Sequence, residues 1–393
     1  MEGGMYMEQL PDSGYIVNAL YDAGGPFPKS WLMRLNAQGD TLWTQLLSAG
    51  VGGTNLSSNC MATINNSIYG IAGYFHPQPI THLSAYFMGC LSNGVKVANK
   101  IYDYSPLQTE GYAIDKTLTN GFVIAGVHAT SNMTSDFYLI RTNSFGDTLW
   151  TRTYNYFASE QAMDVKSTAD SGFIMAGFTY DNSVFAYNIY IIKTDANGNK
   201  IWGKQYHKNV EEIAQSILPL NDGYMVCGYT KGSITLGYDV YLIRTDLNGD
   251  TLWTRKYGTN NNQIGYFVRN TSDGGFIISG ITQNSPLGAY IIKTDSLGNV
   301  NNGTGIAEVN NPFAFTIYPN PSSGMFTVHL KNTPGHQPAM LHVYNVQQQL
   351  VYSAKINNNS CTTLPLQNLP SGMYMAVLKT SNSVCTQKII IQH

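Results

Sequence analysis

Charge is scarce in this chain. Only 12% of its 393 residues are Asp, Glu, Lys or Arg, against roughly 25% in ordinary soluble domains. The formal net charge is -2, so no electrostatic footprint points to nucleic acid or to an anionic membrane. No apolar run approaches the ~18 residues of a membrane-spanning helix. The cysteines Cys60, Cys90, Cys227, Cys361 and Cys385 form no CxxC pair, which argues against a zinc ribbon or a dithiol redox site. No GxSxG, phosphate loop, HExxH or dinucleotide fingerprint is present. The expectation is a chain that is no enzyme and needs no cofactor or metal.

Tyr (27) and Gly (38) are abundant, which suits β-structure with frequent tight turns. Internal repetition is the strongest signal. YLIRTNSFGDTLWTRTY (138–154), YIIKTDANGNKIWGKQY (190–206) and YLIRTDLNGDTLWTRKY (241–257) are one pattern. Partial copies stand at 31–45, 86–102 and 290–299. The turn glycines Gly39, Gly94, Gly146, Gly198, Gly249 and Gly298 are 55, 52, 52, 51 and 49 residues apart. A Gly-rich strand such as NGFVIAG (120–126) precedes each copy, and a further strand such as GYAIDKT (111–117) precedes that. Each unit thus holds four strands, and six units fill residues 1–298. TDLNGD between apolar runs fits a hairpin whose αL Gly makes a bulge. Trp31, Tyr86, Tyr138, Tyr190, Tyr241 and Tyr290 head the third strands and are expected to wedge between sheets. Cys227, where other units carry Ala125, Ala176 and Ser279, reads as a packing residue. A four-stranded unit of about 50 residues is the size of a propeller blade. The blades resemble kelch repeats, with a Gly-rich strand followed by a Tyr and a Trp on the next two strands. The reading is an all-β chain: a six-bladed kelch-like β-propeller at 1–298, then a linker at 299–312.

Residues 313–393 hold about seven short strands, which read as a small Ig-like β-sandwich. Three elements stand out in it. Tyr318-Pro319-Asn320-Pro321 with Gly324 forms YPNPxxG, Leu369 to Tyr374 forms LPSGMY with Gly372 and Tyr374, and Lys388 opens KIII near the end. On these residues the segment resembles the type A C-terminal sorting domain of the type IX secretion system of Bacteroidetes. A middle motif falls at Val343–Gln348 but lacks its usual Asp and Gly. The resemblance implies a secreted or outer-membrane surface protein whose partners are the type IX machinery and a sortase-like peptidase. In an oxidising compartment Cys361 and Cys385 could pair or stay small buried hydrophobes, and both readings stand. The opening MEGGMYMEQLPDSG lacks the basic and apolar regions of a signal peptide, although a type IX substrate has to cross the inner membrane. The last blade also lacks the L-W-T-R-x-Y outer strand of its neighbours. The expectation is that the precursor begins upstream of Met1 with both; a poor fourth strand at 299–306 is the alternative.

Uniform turns join strands one to two and three to four, whereas the two-to-three and blade-to-blade connections vary. Both variable sets emerge on one face, the place for recognition. The candidate ligand-binding residues there are Phe27, Tyr104, Glu160, Phe185, Tyr187, Glu211 and Glu212. Glu160, Glu211 and Glu212 are placed where the central channel opens. The reading is a binding module for a glycan or protein ligand. A propeller hydrolase or lyase using channel carboxylates, and an inert structural surface protein, are the alternatives.

Overall fold

The structure is a computed structural model. It describes residues 3–21, 29–47, 55–65, 67–76, 82–102, 107–131, 134–157, 159–183, 185–206, 210–231, 237–258, 262–283, 288–300, 314–331, 339–345, 349–356, 362–379 and 384–393. The chain divides into two compact units, Met1–Gly305 and Ile306–His393.

In the first unit every described sheet is an antiparallel meander. The first sheet holds β1 (Gly3–Gln9), β2 (Tyr15–Tyr21), β3 (Lys29–Leu35) and β4 (Thr41–Leu46). The second holds β5 (Asn55–Ile64), β6 (Ile68–His76), β7 (Ser84–Leu91) and β8 (Lys96–Tyr102). The third holds β9 (Thr109–Lys116), β10 (Gly121–Ala129), β11 (Ser135–Asn143) and β12 (Thr148–Tyr154). The fourth holds β13 (Glu160–Ser167), β14 (Phe173–Asp181), β15 (Ala186–Thr194) and β16 (Lys200–Tyr206). The fifth holds β17 (Glu212–Leu220), β18 (Gly223–Lys231), β19 (Tyr238–Thr245) and β20 (Thr251–Tyr257). The sixth holds three described strands, β21 (Gln263–Asn270), β22 (Phe276–Thr282) and β23 (Gly288–Thr294). The alternative fourth strand at 299–306 falls almost wholly outside the described residues.

The first strands of consecutive sheets, from β1 to β21, pack against one another. Burial follows from this stacking. In the second to fifth sheets the second and third strands are covered on both faces and read as nearly continuous apolar runs, as expected for strands sandwiched between layers. Tyr86, Tyr138, Tyr190 and Tyr241 are all buried between sheets. Cys227 is buried in the same way. The fourth strands are edges and alternate between exposed and half-buried positions.

Two local features explain the repeated glycines. At the three-to-four hairpin, Asp195 Oδ1 accepts from the amides of Asn197 and Asn199 at 2.9 and 2.8 Å, and Gly198 takes φ 77°. Asp295 repeats this around Gly298. The preceding sheet uses that turn as an anchor. The Trp202 ring lies against Gly249, and the Tyr206 hydroxyl donates to the Gly249 carbonyl at 2.6 Å. Trp150 and Tyr154 hold Gly198 in the same way, and Trp253 and Tyr257 hold Gly298. Trp43 packs on Gly94, and Tyr102 donates to the Gly146 carbonyl. Around Gly39 no described atom fills that place.

The second feature lies on the inner strands. All six first strands slip register by one residue at the same point, next to Gly4, Ser58, Gly111, Ala162, Ala214 and Gly265. The slip is a β-bulge, which leaves one residue unpaired and re-aims its side chain. The bulged backbone swings its carbonyl over the second strand. A Cβ on Gly126, Gly177, Gly228 or Gly280 would fall on the carbonyl oxygen of Glu110, Gln161, Ile213 or Ile264, respectively. In the third to sixth sheets the Gly that ends the Gly-rich strand is therefore required by backbone crossing and not by its own dihedral angles, whereas Ala19 stands at the equivalent position of the first sheet.

The basic residues that recur at one repeat position are structural. Arg34, Lys193, Arg244 and Lys293 pair with Asp12, Asp170, Asp222 and Asp273 of the one-to-two turns. Arg141 donates to Thr119 Oγ1 at 2.6 Å instead.

In the second unit, β24 (Ala314–Tyr318), β25 (Met325–Lys331) and β28 (Thr362–Pro365) form one sheet. The other contains β26 (Ala339–Tyr344), β27 (Leu350–Ile356), β29 (Gly372–Lys379) and β30 (Val384–Ile391). Phe315, Phe326 and Val328 from the first meet Leu341, Leu378, Ile389 and Ile391 from the second in one buried core. Cys361 and the side chain of Cys385 lie outside the described residues.

Gly177→Ala tests the crossing. The added methyl has to displace backbone, so a loss of about 2 kcal/mol or more is expected, against about 1 kcal/mol for Tyr154→Phe, which removes one hydrogen bond. Urea unfolding of both variants measures the difference, and equal small losses would refute the account.

Candidate functional site

The strand ends that flank the variable connections lie at one end of each antiparallel sheet. The structure places the sequence candidates there unevenly. Phe27 and Tyr104 lie outside the described residues. Glu160 and Glu212 are fully buried, which corrects the expectation of carboxylates open to the channel. Glu160 Oε1 accepts from Thr179 Oγ1 and from the Phe157 amide, both at 2.8 Å, and Oε2 accepts from the Tyr156 amide at 3.4 Å. Glu212 Oε1 accepts from Thr230 Oγ1 at 3.2 Å. Gln263 and Thr282 make the equivalent pair in the sixth sheet. An amide serves in place of the acid there, so the position holds the next strand and the incoming connection and does not present charge. Burial pushes the Glu160 carboxyl up, while those hydrogen bonds pull it back.

Glu211, Phe185 and Tyr187 are accessible. The Tyr238 hydroxyl donates to Glu211 Oε1 at 3.2 Å, and Tyr238 meets Tyr229 edge-on at 5.1 Å. On the neighbouring sheet Tyr187 touches Phe178 at 5.1 Å and Tyr180 at 5.0 Å. Burial pushes the Tyr229 hydroxyl up, and Glu211, Tyr238, Tyr266 and Tyr187 push it in the same direction. Phe185 is 80% exposed and adopts φ 51°, a left-handed conformation uncommon for a bulky side chain. Tyr156 and Phe157, on the segment that Glu160 holds, are 42% and 50% exposed. The result is an aromatic patch across the loop ends of the fourth and fifth sheets with one carboxylate at its edge.

Sequence reasoning expected a central channel but missed the residues that line it. The bulges at 112, 163, 215 and 266 turn Tyr112, Met163, Gln215 and Tyr266 into a cavity of about 270 Å3. A small residue followed by a large one at each site (Gly111-Tyr112, Ala162-Met163, Ala214-Gln215, Gly265-Tyr266) was the available signal. Asp115 Oδ2 accepts from the Ser167 amide at 2.7 Å, and Asp164 Oδ2 accepts from the Ile217 amide at 2.9 Å. Each carboxylate thereby ties its own sheet to the next. Lys166 donates to Asp164 Oδ1 at 2.5 Å. Burial opposes the Lys166 ammonium, but Asp164 and Asp115 outweigh it and raise its pKa. Among the described residues no group of three His, Cys, Asp or Glu side chains is arranged to hold a metal ion, and no helix is long and apolar enough to cross a membrane.

In the second unit the three sequence elements meet. Asn320 Nδ2 donates to the Lys388 carbonyl and its Oδ1 accepts from the Ile390 amide, both at 2.8 Å. The Ser322 amide donates to the Ile390 carbonyl at 3.0 Å, and the Gln392 amide donates to the Ser322 carbonyl at 2.9 Å. The Tyr318–Pro319 and Asn320–Pro321 bonds are both cis. Gly324, at φ 103°, packs on the backbone of Leu366 and Gln367. The Tyr374 hydroxyl donates to the Pro370 carbonyl at 2.8 Å. The His393 amide donates to Ser371 Oγ at 3.0 Å. A Cβ on Gly372 would make ordinary van der Waals contact with the Tyr374 ring at 3.8 Å. Lys388 is exposed between inward-facing neighbours.

Residues 316–392 match the family model for a secretion system C-terminal sorting domain. No curated protein matches the chain by sequence. Among solved structures, puromycin hydrolase aligns with a TM-score of 0.51 at 11% identity, over 83% of this chain and 49% of that one. The chain therefore spans about half the length of that enzyme. Prolyl oligopeptidase B from Galerina marginata aligns at 0.44 and 10% identity, over 96% of this chain and 55% of that one. The β-propeller domain of the Trilobed protease from Pyrococcus furiosus aligns at 0.43 and 7%, over 94% and 98%. The first unit is a β-propeller, and the sorting domain directs secretion or cell-surface display through the type IX machinery. The expectation that the chain is no enzyme is corrected by the puromycin hydrolase match: its fold is shared with a hydrolase, so the missing motifs no longer argue for a non-enzyme.

Glu160→Ala leaves two loop amides and a buried hydroxyl without their acceptor. A loss of about 2 kcal/mol is expected, while Glu160→Gln keeps most of the stability. Thermal unfolding of both variants checks it, and an equally unstable glutamine variant would show that the charge itself is needed.

Proposed function

We propose that the chain is a surface-displayed binding protein that holds a glycan or protein ligand on the loop-bearing end of its propeller. In this reading the propeller is a six-bladed, kelch-like ring over residues 1–298, joined by a 299–312 linker to an Ig-like sorting domain at 313–393. The cavity walled by all six inner strands supports the ring. The observation that carries the binding reading is the pair of ring clusters at the loop ends, Tyr229 with Tyr238 beside Glu211 and Tyr187 with Phe178 and Tyr180, with Phe185 held open to solvent in a left-handed conformation. Clustered tyrosines offer apolar faces and polar tips at small entropic cost, which suits recognition at a wet surface. Phe185, Tyr187 and Glu211 are the contact residues. Glu160 and Glu212 act through the segments they anchor.

A glycan-array and pull-down screen of the full chain tests the reading. Tyr187→Ala combined with Tyr238→Ala is expected to weaken whatever binds by about tenfold or more, in line with aromatic hot spots. Undiminished binding by that variant would move the site elsewhere. Export is tested separately. Deleting residues 313–393 in a type IX-competent host is expected to strand the propeller in the periplasm, and normal surface display of the truncated protein would refute the role of the sorting domain.

A further inference from the structure

The channel cavity is a second candidate site, independent of the aromatic patch. Its wall carries five aromatic rings: Tyr6 from the first sheet, Tyr74 from the second, Tyr112 from the third, and Tyr266 and Phe267 from the sixth. Tyr112 and Tyr74 meet edge-on at 6.5 Å, as do Tyr6 and Phe267. Phe267 keeps 40% of its surface exposed, so the rings line the space without filling it. At about 270 Å3 the cavity sits just below the ~300–1,000 Å3 common for small-molecule sites. It suits one ring-sized ligand.

The polar groups in the wall differ in how far they are committed. Lys166 is bound to Asp164 and to the Val165 carbonyl at 3.0 Å. Asp164 divides its oxygens between Lys166 and the amides of Val165 and Ile217. Arg269 donates only to the Val268 carbonyl at 3.0 Å, and among the described residues it has no ion-pair partner. The Tyr6 and Tyr266 hydroxyls and the Gln215 amide make no hydrogen bond among the described residues. Glu8, at a matching position on β1, accepts from Thr63 Oγ1 at 2.9 Å and makes no ion pair with Arg269.

We propose that this cavity binds a single carboxylated sugar ring, with its carboxylate on Arg269, its apolar face against Tyr112, Tyr266 and Phe267, and its hydroxyls on Gln215 and Tyr6. A guanidinium fork matches a carboxylate with two parallel hydrogen bonds. Aromatic faces alone would also suit an ammonium ligand, but Lys166 and Arg269 in the same wall oppose one. A polyhydroxylated ring uses the open hydroxyl and amide groups, which a purely apolar acid would leave unpaired at a cost.

Isothermal titration of the full-length protein with glucuronate, galacturonate, glucose, galactose and benzoate tests the proposal. A uronate is expected to bind about tenfold or more tightly than its neutral counterpart. Arg269→Gln is expected to abolish that preference with an unchanged melting temperature, since the side chain bonds only to its neighbour's carbonyl. Should Arg269→Gln not fold, Arg269→Lys keeps the charge but loses the fork and is expected to weaken uronate binding by several-fold. Tyr6→Phe, which removes a hydroxyl partner and keeps the ring, is expected to weaken neutral and acidic sugars alike. No uronate binding at millimolar concentration, equal binding of uronate and neutral sugar, or binding of benzoate alone would each overturn it.

Discussion

The inner geometry of the third to sixth sheets depends on a close crossing of backbones beside the channel. The carbonyls of Glu110, Gln161, Ile213 and Ile264 occupy the space that a side chain on the facing strand would need. Only Gly at 126, 177, 228 and 280 permits it. The crossing exists because each inner strand is bulged, and the bulge adds twist and turns one side chain out of the ladder. One constraint therefore sets the glycine pattern, the curvature of the inner strands and the composition of the channel wall. Packing at the outer rim is subordinate to it. Trp and Tyr from one sheet hold the turn Gly of the next, which fixes spacing between layers that are already aligned at the centre.

The division of labour among charged groups follows from that architecture. Channel carboxylates are rare and expensive to bury, so those present are bound to backbone amides of the next sheet or to Lys166. Asp115 and Asp164 act as ties between layers, and the rim acids Asp170, Asp222 and Asp273 pair with Lys193, Arg244 and Lys293. What is left to meet a ligand is small: Glu211 at the loop end and Arg269 in the channel. A chain with so few charges shows its recognition chemistry in the groups that packing does not consume.

The repeat was legible because it is written in turn chemistry. A Gly at positive φ after an Asp or Asn, with a Trp four residues later, leaves a local signature at Gly146, Gly198 and Gly249 that needs no tertiary information. The inner strands were not legible in the same way. Their bulges break the two-residue alternation, so Tyr112 and Gln215 read as ordinary strand residues on the wrong face. Glu160 and Glu212 misled for a related reason. A paired acid near a channel suggests chemistry, and only the matching Gln263–Thr282 pair in the sixth sheet shows that the position is a hydrogen-bonding post. Phe185, Tyr187 and Glu211 were found from loop variability, but the ring clusters beside Tyr187 and Glu211 depend on which strands pair.

The sorting domain shows the opposite relation between motif and structure. Its elements are separated by some seventy residues of sequence, from Asn320 to Lys388 and Ile390, yet they form one corner. Asn320 uses both ends of its amide on the last strand, and Ser322 pairs with Ile390 and Gln392 beside it. An Asp there would lose the donor to the Lys388 carbonyl, and a Gln would be one methylene too long to keep both bonds. The PNP element is thus a backbone clamp on the chain terminus, and the KIII element is its substrate strand, with Ile389 and Ile391 anchored in the core. The exposed Lys388 just before them is the one charged side chain of that strand. The elements of the motif therefore form one folded corner, because none of its parts holds this geometry without the others.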